Sequence, residues 1–193
     1  MSIRLLDYNA IFFHIPKTGG TWVHHALENS GIKIELFTPN GFPHSNYEDE
    51  NIEDKYTFAF VRHPMNWYKS YWCWRIATGW EKDWQIDIKC RNNNFTRFIQ
   101  NVVEYQCPFV TRIYDHHIGF PKQLTFVGKQ ENLANDLVTV LNHLEVDFDE
   151  KKLRKTARQK VSLQNPACPT PLFKKLMTLE SAVLKEYKYA QTI

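Results

Sequence analysis

The sequence predicts an α/β fold of three layers, a mostly parallel sheet flanked by helices, and two observations predict it. Short runs of β-branched and aromatic residues alternate with longer stretches that carry an apolar stripe at helical spacing. The connections are punctuated by glycine and proline. Strands that alternate with helices in this order pair in parallel, because each crossover helix returns the chain to the same end of the sheet.

Residues 9–15 form the first predicted strand, and "TWVHHALENSG" follows as a helix with Trp22, Val23, Ala26 and Leu27 inward and Gly31 as its C-terminal stop. "IKIEL" is a short second strand, followed by a loop over residues 38–47 rich in proline, glycine and asparagine. "KYTFAFV" is the third strand, and Pro64 opens the next helix, where its missing N–H costs little. Further on, "NFTRFIQNVV" reads as a helix, "LTFVG" as a strand, and "ENLANDLVTVLNHL" as a helix with Leu133, Leu137, Val138, Leu141 and Leu144 on one face. Residues 170–189 carry a similar stripe through Phe173, Leu176, Met177, Val183, Leu184 and Tyr187. These stripes read as core. No repeat, low-complexity tract or linker interrupts the pattern, so a single domain over residues 1–193 is expected.

Composition narrows the class. With 193 residues, 43% hydrophobic and 23% charged, the chain is long enough to bury a real core. A net charge of +3 is too mild to argue for nucleic acid, yet it allows a local pocket for an anion. No apolar run is long enough for a membrane span and "MSIRLLDYNA" has no signal-peptide pattern, so the expected location is cytoplasmic, with no membrane partner. Cys73, Cys90, Cys107 and Cys168 stand far apart and read as reduced structural thiols. His24/His25 and His116/His117 are neighbours in sequence, which point to different sides of an element, and no third ligand is read at metal-site spacing; no metal is expected.

In "FFHIPKTGGTW" a strand runs into a proline, a lysine, two glycines and a threonine before a helix begins. Gly19 and Gly20 allow backbone N–H groups to approach a ligand closely, and the helix N-terminus adds partial positive charge. Lys17 adds a mobile full charge. Such a loop cradles a phosphate, and the alternative is a plain strand-to-helix turn with a solvated lysine. It differs from the ATP-binding P-loop, whose lysine follows the glycines, whereas Lys17 precedes them. In open α/β sheets ligands bind at the carboxyl ends of the strands, where this loop falls.

"HIPKTGGTW" resembles the 5′-phosphosulfate-binding loop of sulfotransferases that use 3′-phosphoadenosine 5′-phosphosulfate (PAPS), and the paired glycines look most like the carbohydrate (glycan) sulfotransferases. The resemblance implies a P-loop-like fold and a PAPS-binding role for Lys17, Thr18, Gly19, Gly20, Thr21 and Trp22. A second segment, "FAFVRHPMNWYKSYW", matches the family's 3′-phosphate-binding pattern, with Arg62 at the end of a strand and Ser70 eight residues later on the next helix. Arginine offers a planar fork of donors to phosphate and serine adds one hydroxyl. Ser70 lies ~9 Å along the helix axis from its start, so their convergence is implied by the resemblance, not by spacing. "FVGKQENLANDL" resembles a later segment of the family, with Lys129 where arginine is usual and Glu131 either a site residue or a helix-terminal charge. Arg158, Lys160 and Ser162 fall where relatives place a loop over the nucleotide; a solvated basic turn is the alternative.

The implied reaction moves a sulfuryl group from PAPS to a hydroxyl or amine of an acceptor, a saccharide or hydroxylated metabolite, with no metal. By analogy with phosphoryl transfer, Lys17 stabilises charge on the leaving nucleotide. A base must take the acceptor proton. His44 is the candidate, in a loop eighteen residues before Arg62; Glu48, Asp49, Glu50 and His14 compete. Among the tryptophans of residues 67–84, Trp80 and Trp84 are expected to be exposed and able to stack on a sugar. Two rivals stand beside the transferase: an adenine-nucleotide-binding module without turnover, and a small kinase, which would need Mg²⁺ and a carboxylate to hold it.

Overall fold

The computed structural model describes residues 1–38, 44–157 and 164–190. The chain divides into two compact units, Met1–Arg62 with Tyr114–Lys160, and His63–Ile113 with Val161–Ile193.

The first unit is built on a five-stranded sheet in the order β3-β1-β2-β4-β5, with β1 at Ser2–Leu5, β2 at Ala10–Phe13, β3 at Ile34–Phe37, β4 at Tyr56–Val61 and β5 at Phe126–Lys129. The ladders β2–β4 and β4–β5 are parallel, as the alternation of strands and helices predicts. The ladders β1–β2 and β1–β3 are antiparallel, so the sheet is mixed. The antiparallel part comes from β1, a strand the sequence reading does not include. A tight turn between Leu5 and Ala10 reverses the chain at once, and only antiparallel pairing is open to strands joined so closely.

Helices α1 (Gly20–Asn29), α6 (Leu133–His143) and α7 (Glu150–Lys155) bury their apolar faces with one face of this sheet. Ile3, Phe12, Phe58 and Phe60 from the strands share that core with Leu27 and Leu141 from the helices. The alternate strand residues Ile11, Phe13, Ala59 and Val61 are also buried, and the near-continuous apolar run of β4 is what a strand covered on both faces requires.

The second unit is helical: α2 (Pro64–Thr78), α3 (Gln85–Cys90), α4 (Phe95–Glu104), α8 (Thr170–Leu179) and α9 (Ser181–Glu186), with α5 (Phe109–Ile118) beginning here and ending in the first unit. The expected helix at Pro64 is present, with proline at its first position and the His63 ring accepting from the Met65 N–H. Its interior is unusually polar. Arg75 is buried in an ion pair with Asp87 at 2.7 Å, and Asp87 also accepts from the Tyr71 hydroxyl. Glu180 accepts from the Tyr68 hydroxyl at 2.6 Å and from the backbone N–H groups of Val110 and Thr111. Trp67 and Trp72 belong to this core, and Trp84 is exposed as expected. Trp80 is only half-exposed, because its ring packs on Phe98 and its indole N–H is held by Asn93, while Trp74 is exposed instead.

Cys73, Cys90, Cys107 and Cys168 are free thiols. Among the described residues no helix is long and apolar enough to cross a membrane.

Candidate functional site

The glycine loop leaves the carboxyl end of β2 and enters α1, and local chemistry fixes its path. Thr18 is buried and its hydroxyl donates to the Ile15 carbonyl at 2.9 Å, which closes the turn from inside. Lys17 and Gly19 both take left-handed backbone conformations, φ 68° and 97°. Gly19 is the N-cap of α1, and its carbonyl receives the N–H groups of Trp22 and Val23. The two glycines have separate steric reasons. A side chain at position 19 would combine left-handed strain with a Cβ 2.7 Å from the Leu133 methyl, and one at position 20 would place Cβ 2.0 Å from the His14 ring. No acidic residue stands in the first turn of α1, so nothing there opposes an anion.

Arg62 follows β4, the parallel neighbour of β2. Its backbone N–H donates to the Tyr114 hydroxyl and its carbonyl accepts from the same hydroxyl, both at 2.8 Å, so α5 clamps this residue. Its side chain turns to the glycine loop, where Nη1 donates to the Lys17 carbonyl at 3.2 Å. The third segment reaches the same place from β5: Leu133 meets Gly19, and the Lys129 N–H donates to Asp136 at 2.6 Å. Gly128 allows this close approach, since a Cβ there would sit 2.7 Å from Phe60 and 2.9 Å from Asp136. The ends of all three parallel strands β2, β4 and β5 therefore feed one place in the first unit.

His44 closes the other side of the loop. Its Nδ1 lies 3.0 Å from the His14 carbonyl, and a carbonyl only accepts, so Nδ1 carries the proton and Nε2 of the neutral ring carries the lone pair. The ring is edge-on to His14, with centroids 4.7 Å apart, and 6.2 Å from His117. Burial lowers the His44 pKa below its ordinary value, against the opposing pull of the His14 carbonyl. His117, buried on α5, donates from Nδ1 to the Ser45 carbonyl at 3.0 Å, and burial pushes its pKa down to about 4. It acts as a neutral strut under the residue next to His44.

No protein-family model, curated protein or solved structure matches this chain.

His44 and Arg62 are thus brought to the loop that carries Lys17, His44 through the His14 carbonyl and Arg62 through the Lys17 carbonyl. Ser70 is half-buried on α2, in the second unit. Trp22 packs into the core and its indole N–H donates to the Thr156 carbonyl at 3.1 Å, so its ring is not presented to a ligand. The Thr18 hydroxyl is likewise engaged within the loop, which leaves Thr21 as the half-buried hydroxyl at the start of α1. Arg158, Lys160 and Ser162 lie outside the described residues. The acids that compete with His44 are already engaged: Glu50 pairs with Arg4, and Asp49 accepts from Asn46 at 2.7 Å in a reciprocal capping box that opens a 3₁₀ turn at Tyr47–Asp49. Glu48 is exposed beside the Tyr47 hydroxyl. His117, Tyr114 and Leu133 are the residues that sequence reading missed as site residues: Leu133 stood only in an apolar stripe, His117 only as one of a histidine pair, and Tyr114 and the helix α5 that carries it were not read, because their partners lie far away in sequence. Two open clefts in the second unit, of about 460 Å³ beside Lys185 and Tyr189 and about 270 Å³ beside Gln100 and Lys175, hold none of the residues above.

Proposed function

We propose that this chain is a PAPS-dependent sulfotransferase, of the kind that the carbohydrate sulfotransferases represent, acting on a saccharide or another hydroxylated metabolite. The observation that carries the reading is the hydrogen bond from Arg62 to the Lys17 carbonyl, which joins the two segments that resemble the 5′- and 3′-phosphate sites. The P-loop-like, three-layer description of the fold belongs to the same proposal, supported by parallel β2, β4 and β5 with their loops at one end.

The residues suit the donor. A strand-to-helix loop whose two glycines bring its backbone close to its surroundings, a helix N-terminus without nearby acid, and two cations make an anion site. Bound PAPS supplies the sulfuryl group. Lys17 meets the phosphosulfate and stabilises charge as it builds on the bridging oxygen of the leaving nucleotide. Arg62 holds the 3′-phosphate; the assignment of Ser70 to the same phosphate rests on the sequence resemblance. His44 accepts the acceptor's hydroxyl proton at Nε2 while the new S–O bond forms, and its Nδ1–H, tied to the His14 carbonyl, balances the charge it gains. The engaged state of Asp49 and Glu50 favours His44 over them as base.

The test is turnover with a chelator present. Incubated with PAPS, EDTA and a panel of saccharides and hydroxylated metabolites, the protein should add one sulfuryl group to an acceptor, detected by mass spectrometry, and release 3′-phosphoadenosine 5′-phosphate (PAP). Nucleotide binding without product across the panel would favour the module that only binds. Phosphoryl transfer from ATP that EDTA abolishes would favour a kinase.

A further inference from the structure

We propose that His24, His25 and Glu28, on α1, form a surface site for one divalent transition ion. The argument begins with helical phase. Consecutive residues on a helix diverge, which is why the pair His24/His25 alone suggests no site. Glu28, however, is four residues after one and three after the other, and at 3.6 residues per turn it stands above the midpoint between them. Its side chain leans back toward the preceding turn, as helical side chains do. All three donors then meet. Glu28 Oε1 is 3.2 Å from His24 Nε2, Glu28 Oε2 is 3.8 Å from His25 Nδ1, and the three ligand atoms lie within 4.8 Å of one another.

The spacing suits an ion. Donors bound at about 2.0 to 2.2 Å around a tetrahedral centre stand roughly 3.3 to 3.6 Å apart, and the separations of the two imidazoles from the two Glu28 oxygens, 3.2 and 3.8 Å, lie close to that range. The two imidazoles stack with centroids 5.2 Å apart and planes 21° from parallel, and binding one ion would turn the rings out of this stack so that their in-plane lone pairs converge. A second observation is independent of spacing. His24 Nε2 is closed off from solvent and makes no hydrogen bond, even though it faces a carboxylate. A cation between them would satisfy both.

Two imidazoles and one carboxylate select Zn²⁺, Co²⁺, Ni²⁺ or Cu²⁺, whereas Mg²⁺ and Ca²⁺ prefer all-oxygen shells. Three protein donors leave a coordination position for water. The site lies on the partly exposed side of α1 and does not depend on the sulfuryl-transfer reading.

Titration of the tag-free full chain with Co²⁺, followed by visible absorption and by competition with Zn²⁺, tests the proposal. One equivalent should bind in the micromolar range or tighter, and Zn²⁺ should displace it. His25→Ala and Glu28→Gln, both surface changes that leave the core intact, should each weaken binding at least tenfold. Mg²⁺ and Ca²⁺ at the same concentrations should not compete. Failure of the wild type to bind, unchanged affinity in both variants, or a thiolate charge-transfer band that assigns the ion to cysteine would each overturn the proposal.

Discussion

The Arg62 guanidinium donates through Nη1 to the Lys17 carbonyl at 3.2 Å. A side chain expected to hold a phosphate thus also holds the loop expected to hold another. Arg62→Ala therefore should act twice. Binding of PAP should weaken by about 1.5 to 3 kcal/mol from the lost charge-assisted contact, plus about 0.5 to 1.5 kcal/mol from releasing the loop. Only the second, smaller loss should extend to AMP. Calorimetry with both nucleotides separates the two, and equal losses would remove Arg62 from the 3′-phosphate.

Tyr114→Phe removes one oxygen that serves both backbone groups of Arg62. Leaving those groups without their partner should cost about 1 to 3 kcal/mol of stability, read as a lowered urea midpoint. PAP affinity should fall although Tyr114 is assigned no contact with nucleotide. Unchanged affinity would mean that Arg62 needs no such clamp.

Gly20→Ala should destabilise by about 1 to 3 kcal/mol, the cost of overpacking, because the new Cβ would meet the His14 ring at 2.0 Å. Moving that ring also disturbs the carbonyl on which His44 rests. A variant with wild-type thermal stability and nucleotide affinity would show that His14 yields freely.

His117 gives a pH signature of stability. Its folded pKa of about 4 is below the unfolded value of about 6.5, so the fold favours the neutral ring. The contribution is complete above pH 6.5 and is lost as pH falls toward 4, by about 2 kcal/mol at pH 5 and about 3 kcal/mol in full. His116, His44 and Asp49 are the titratable neighbours that modulate it. In His117→Asn, which keeps an N–H donor for Ser45, the slope of stability between pH 7 and 5 should be shallower than in the wild type. Equal slopes in urea titrations would contradict a buried neutral ring.

His44→Ala should leave nucleotide affinity nearly unchanged and cut kcat by roughly 10² to 10⁴-fold, the range for a lost general base. Since burial lowers the His44 pKa, the acid limb of the wild-type rate should lie below the ordinary histidine value of about 6.5. A substituted enzyme with normal turnover and the acid limb intact would shift the role to Glu48, Asp49, Glu50 or His14.

What the sequence made legible was local. The β2 loop, the β4 end and the α6 stripe each carry their signal within about fifteen residues, and each is found where its pattern put it. β1 was also signalled, since Ile3 and Leu5 alternate with Ser2 and Arg4, but four residues with a charge among them are a weak pattern. The row His14, His44, His117 could not be read, because nothing in the spacing of three residues so distant in sequence reports that the sheet and α5 bring them together. The inward turn of the Thr18 hydroxyl was equally hidden, since threonine serves as a ligand contact or as a brace and only its partner decides; Trp22 was read as inward from helical spacing, and its burial agrees with that spacing and not with the ligand role implied by the resemblance. Glu28 was legible in principle, by counting three and four residues back along a helix.

The most direct measurement of the central claim compares PAP, AMP and ATP binding to the wild-type protein by calorimetry, in the presence of EDTA. The account predicts that PAP binds about tenfold or more tightly than AMP, as one charge-assisted contact to the 3′-phosphate requires, that ATP binds no better than AMP, and that the gap narrows sharply in Arg62→Ala. AMP or ATP bound as tightly as PAP would contradict it.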